Sequence, residues 1–133
     1  MSVPLLIAGA LASVAAVVHG AGGELLVLRK LSSATLPVSP FGGGAATKTM
    51  LRVSWHVATI AFVVVAVSLT FAGSARQGAS AHAVGLVGAS AATAYAALLV
   101  GTAVVHGATG LVRHPGPAMF GAIAGLAWWG LLG

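Results

Sequence analysis

The stretch IAFVVVAVSLTF, Ile60–Phe71, carries no charged side chain and three β-branched valines in a row. Followed outward it stays apolar from about Met50 to Ala72. That matches the roughly 20 mostly apolar residues an α-helix needs to cross the hydrocarbon core of a bilayer. Three further stretches have the same character. Val3 to about Gly23 continues through ELLVLRKL toward Leu31. Ala81 to about Val112 is a second long run, and Ala118 to Leu132 is a shorter one ending near Trp128 and Trp129, residues suited to a membrane–water boundary. Closely spaced apolar runs of this length do not fit the short alternating strands of a barrel. The expected fold class is all-α: a polytopic membrane protein with four transmembrane helices forming a single domain over residues 1–133 (spans about 3–23, 50–72, 81–112 and 118–132).

Composition points the same way. Charged residues make up 5% of the chain and hydrophobic ones 59%, with a mean hydropathy of +1.06; an ordinary soluble domain is about a quarter charged. Six Lys and Arg stand against one acidic residue, Glu24. These bases are few and dispersed, unlike the clustered basic face of a nucleic-acid binder, so no nucleic-acid partner is expected. They read instead as topology signals. Arg29, Lys30, Lys48, Arg52 and Arg113 flank the first and third connections, and only Arg76 lies in the second. The positive-inside rule then puts the first and third connections in the cytoplasm and both ends of the chain outside. No Lys or Arg precedes the first span, which disfavours a cleaved signal peptide. With no cysteine, disulfides and thiolate metal sites are excluded.

Two octets repeat: AVVHGAGG at 16–23 and AVVHGATG at 103–110. The spans that carry them run the same way through the membrane, so each octet lies near the cytoplasmic end of its helix. This is the mark of a tandem duplication of a helical hairpin, a reading that rests on the octet alone. His56 follows Arg52 by four residues and falls in the same half of the bilayer. Gly9, Ala12, Ala16, His19 and Gly23 form a small-residue stripe on the first span. Arg52, His56 and Thr59 share a face of the second, and Ala92, Tyr95, Leu99, Thr102, His106 and Thr109 share a face of the third.

Ionisable groups inside a membrane generally face the protein interior and mark a site. The leading expectation is therefore a buried histidine-rich site in the cytoplasmic half of the bundle. His19, His56 and His106, with Glu24, would bind a transition metal ion or the iron of a b-type haem. Arg52, Arg113 and Tyr95 would contact the cofactor, the arginines through haem propionates. On an ideal helix Glu24 lies roughly 140° from His19, so it joins that face only if Gly22 and Gly23 bend the chain; otherwise it sits at the interface and pairs with Lys or Arg. The alternative is an accessory subunit or small proton-coupled transporter whose histidines are interhelical hydrogen bonders or proton carriers. A transporter of this size would work as a homo-oligomer or inside a larger membrane complex. Signatures of hydrolytic catalysis and phosphate binding are absent: there is no G-x-S-x-G, H-E-x-x-H or G-x-x-x-x-G-K.

MLRVSWHVATIAFVVV, Met50–Val65, together with VHGAGGELLVLRKL, Val18–Leu31, resembles small uncharacterised four-helix bacterial inner-membrane proteins. These have a His-x4-Glu near the end of the first span and L-R-x-x-W-H opening the second. The matching residues are His19, Glu24, Leu51, Arg52, Trp55 and His56. The resemblance covers about a third of the chain and implies no particular activity, but it groups His19, Glu24 and His56 as a set.

Overall fold

The computed structural model describes residues 1–40, 42–75, 78–105 and 115–133. These residues are all-helical. Regular helix runs over α1 (Val3–Val17), α2 (Gly23–Leu26), α3 (Gly44–Ser74), α4 (Ala79–Val105) and α5 (Gly116–Leu132). A π-turn, Val18–Gly22, joins α1 to α2, and a 3-10 turn follows at Leu28–Lys30. Three helical stretches are long and apolar enough to cross a membrane: Val3–Lys30, Gly44–Ser74 and Ala79–Val105. The 17-residue α5 is apolar but shorter. At 1.5 Å per residue it spans about 25 Å, a little less than a typical hydrocarbon core.

The helix boundaries follow local chemistry. Pro117 occupies the first turn of α5, where its missing N–H costs nothing. The first connection is shorter than the sequence suggests, because α3 begins at Gly44 rather than near Met50. Two glycines explain this. Gly42 has φ +141°, a backbone region open to glycine, and closes a tight turn through paired hydrogen bonds with Ser39. Gly44 starts the helix under the carbonyl of Ser33, where a Cβ would collide with that oxygen. Thr47 and Lys48 then donate to the carbonyls of Pro37 and Leu31, at 2.8 and 2.6 Å, and hold the connection against the first turn of α3.

The chain divides into two compact units, Met1–Ser13 with Val63–Gly133, and Val14–Phe62. The first is built on close backbone approach. Gly9 sits against Thr70 and the carbonyl of Ala66, Gly73 against Leu5 and Leu6, Gly88 against Leu69, and Gly130 against Leu5 and Ser2. Its core is correspondingly small-chained: Ala8, Ala89, Ala92 and Ala127 are fully buried, with Leu69 and Ile123 the largest completely enclosed side chains. Trp128 donates from Nε1 to Thr93 Oγ1 (2.9 Å) and Tyr95 packs on Phe120, ring centroids 5.3 Å apart. The second unit contains the turns of the first apolar stretch, the connection, and the amino-terminal part of α3. Ala16, Leu28 and Phe62 are its buried apolar residues.

Candidate functional site

The polar groups of interest meet in the second unit, and the π-turn is what arranges them. A π-turn closes its backbone hydrogen bonds from i to i+5 and so brings residues five apart toward one face. His19 and Glu24 are five apart, and both reach α3. His19 Nδ1 lies 2.9 Å from Thr59 Oγ1, while Glu24 Oε1 accepts from Arg52 Nη2 at 2.8 Å. The ideal-helix geometry that separates these two side chains fails because the helix is locally wider. The glycines of the octet serve this wider turn and the close approach of α3.

Around His19 the contacts are dense. Its ring stacks on the indole of Trp55, centroids 4.6 Å apart and planes 15° from parallel, and meets the edge of Phe62 at 4.9 Å. Trp55 Nε1 donates to the carbonyl of His19 at 2.8 Å. The Thr59 hydroxyl lies 3.2 Å from the carbonyl of Trp55, one turn back on its own helix. With that hydroxyl donating to the carbonyl, His19 Nδ1–H is the donor to Thr59. The first helix supplies the space: a Cβ on Gly20 would press on Thr59 Cγ2 at 2.8 Å, and one on Gly23 would fall inside the indole of Trp55. Gly20 and Gly23, three apart, thus face Thr59 and Trp55, four apart.

One turn further on, Glu24 is the hub of an ion cluster. Oε1 accepts from Arg52 at 2.8 Å and lies 3.5 Å from Arg29 Nε. Oε2 is enclosed, with His56 Nε2 3.4 Å away and no hydrogen bond of good geometry. The carboxylate's side chain is 21% exposed, whereas Arg29, Arg52 and His56 are 64%, 45% and 44% exposed. The cluster is therefore largely open on its cationic side.

These contacts overturn the expected metal or haem function. Among the described residues no three His or Glu side chains stand close enough to hold a metal ion. Nor is any polar or charged side chain among them buried, so none of their histidines occupies an enclosed cavity. The physical reason is that two of the proposed ligands already have protein partners: His19 is held by Thr59 and Trp55, and Glu24 Oε1 by two arginines. Arg52, expected at a propionate, is the closest partner of Glu24. Tyr95, expected at a cofactor, packs on Phe120 in the other unit. His106 and Arg113 lie outside the described residues, as does the second octet beyond Val105. His82 is exposed and lines an open cavity of about 470 Å³ in the first unit, beside Ser2, Leu5 and Gly130.

Sequence reasoning missed Trp55 as a partner of His19, whereas the contact with Thr59 is of the interhelical kind that the alternative reading expected. The signal was present in the spacing: an aromatic and a hydroxyl one turn apart on one helix, two glycines one turn apart on the other. No protein-family model, curated protein or solved structure matches this chain. The resemblance to small four-helix inner-membrane proteins therefore lends the chain no function.

Proposed function

We propose that the chain is a structural component of a membrane, a four-span helical bundle whose polar side chains hold helices together rather than carry out chemistry. One observation carries this reading. The helices keep alanine and glycine inside and turn large apolar side chains outward: Ile60, Val67, Leu98 and Val104 are each more than 60% exposed. In water such a surface would aggregate. In lipid it is the expected arrangement, since tails are as apolar as leucine and helices associate through close backbone packing and interhelical hydrogen bonds. The Thr59–His19 and Trp55–His19 contacts are bonds of that kind. The distribution of Lys and Arg supports an orientation with the first and third connections on the cytoplasmic side.

Alkaline carbonate extraction of membranes tests insertion, and release of the protein into the soluble fraction would refute it. The cysteine-free chain suits single-cysteine labelling with an impermeant maleimide. Ala34→Cys in the first connection should react only from the cytoplasmic side and Ser80→Cys only from outside; the reverse pattern overturns the orientation. The structural role predicts that any cellular effect of His19→Asn tracks its thermal stability. Loss of cellular function at unchanged stability would refute that role.

A further inference from the structure

The second unit gathers more positive charge than it neutralises. Arg29, Lys30, Lys48 and Arg52 fall within it and Glu24 is its one carboxylate, a net charge of +3 with histidine neutral. The fold draws these cations together. The enclosed side chain of Leu28 pins the 3-10 turn, leaving Arg29 and Lys30 exposed beyond it. Lys48 ties the next residue, Leu31, to α3 through its carbonyl, and Lys48 and Arg52 lie one turn apart on that helix. Glu24 bridges Arg29 and Arg52. Like charges brought this close repel unless an anion stands among them, and one carboxylate does not balance four cations. Arg29 reaches Glu24 through Nε and Arg52 through Nη2, so each guanidinium keeps other N–H groups directed to solvent, and Lys30 has no ionic partner among the described residues. Guanidinium groups suit the paired oxygens of a phosphate. Immediately beside the cations, Leu25 and Leu26 are 52% and 66% exposed. A free anion or an acidic peptide has no use for that apolar strip; a phospholipid has one for both parts.

We propose that Arg29, Lys30, Lys48 and Arg52 bind the phosphate headgroup of an anionic phospholipid, whose acyl chains run along Leu25 and Leu26. The assignment rests on the membrane reading above. It also gives the basic connection a partner, since the cytoplasmic leaflet is the anionic one and each basic residue near it contributes about fivefold to binding.

The test uses the full chain purified in a neutral detergent, with native mass spectrometry in equimolar phosphatidylglycerol and phosphatidylcholine of matched chains. The expected result is retention of phosphatidylglycerol over phosphatidylcholine by at least tenfold. Selectivity should fall at least fivefold in the double variant Arg29→Gln/Lys30→Gln, whose exposed side chains leave the core untouched. Equal retention of the two lipids by the wild-type protein overturns the proposal, and this arm does not depend on any variant folding. Unchanged selectivity in a double variant of wild-type melting temperature overturns it as well. Inorganic phosphate or glycerol 3-phosphate at micromolar concentration displacing the lipid assigns the site to a free phosphate and also overturns it. Carbonate extraction separates the two readings: release from the membrane sinks insertion itself, whereas firm retention with no lipid preference sinks only the headgroup site.

Discussion

Gly23→Ala and Gly22→Ala add the same methyl group one position apart, and the structure expects opposite results. At Gly22 a Cβ meets nothing within 4 Å, whereas at Gly23 it would lie inside the van der Waals envelope of Trp55 Nε1, Cε2 and Cζ2. The indole cannot yield as a flexible side chain would. It is fixed by its hydrogen bond to the His19 carbonyl and by its stack on the His19 ring. Overpacking of a well-filled contact costs about 1–3 kcal/mol, and loss of the indole hydrogen bond adds roughly 0.5–1.5 kcal/mol. Against this stands a gain of up to about 1 kcal/mol for replacing glycine by alanine in a helix. Gly23→Ala should therefore destabilise the protein by ~0.5–3.5 kcal/mol, while Gly22→Ala should be neutral or stabilising by up to ~1 kcal/mol. The assay is equilibrium unfolding in a fixed detergent, followed by tryptophan fluorescence in a Trp128→Phe/Trp129→Phe background so that Trp55 reports alone. Equal stabilities for the two variants, or a stabilised Gly23→Ala, would refute the packing of Trp55 on the first helix.

Three further outcomes rest on the same kind of contact. A double-mutant cycle between His19→Phe and Thr59→Val should return a coupling of about 0.6 kcal/mol and at most ~1.7 kcal/mol, the range for hydrogen bonds between membrane helices; zero coupling would mean the 2.9 Å contact is not a bond. Glu24→Gln should lower the melting temperature and flatten its dependence on salt, because the cluster is exposed enough for counterions to screen; an unchanged salt profile would remove the ion pairs from the stability of the fold. Trp128→Phe and Thr93→Val each break one 2.9 Å bond, so the two losses should not add, and strictly additive losses would exclude that pairing.

The long helices were legible because period and composition act along the chain. Ile60–Phe71 carries no charge to interrupt a helix, and the proline at position 117 sits where a helix can start. What the sequence could not convey was a departure from ideal pitch. The Glu24 position was set by 100° per residue from His19, and a single five-residue π-turn, Val18–Gly22, is enough to void that arithmetic. The start of α3 was likewise hidden, since it depends on Ser33 and Leu36 approaching Gly44 from across the connection. The histidines misled for a related reason. Recurrence of the octet and membrane burial both suggested a shared ligand set, but a metal ligand needs a free lone pair, and His19 Nδ1 and Glu24 Oε1 are engaged by Thr59 and by two arginines.

The distribution of polar groups reflects how each unit is held together. The first unit has long stretches of alanine and glycine in register, so close backbone approach can do much of its packing. The second unit encloses few apolar side chains, Leu28 and Phe62 among them, and lies where the first apolar stretch gives way to turns. In lipid no hydrophobic drive brings helices together, so a segment short of interdigitating side chains needs directional contacts to fix its register. The molecule's one acidic side chain, its Trp55 indole and the His19 ring all stand at this point, each matched by a donor or acceptor between α3 and the stretch Val18–Leu26. Polar pairing also explains the π-turn. Without that widened turn His19 and Glu24 would diverge round the helix, and one of the two contacts to α3 would be lost. The irregular backbone thus lets two polar anchors, five residues apart, grip the same neighbouring helix.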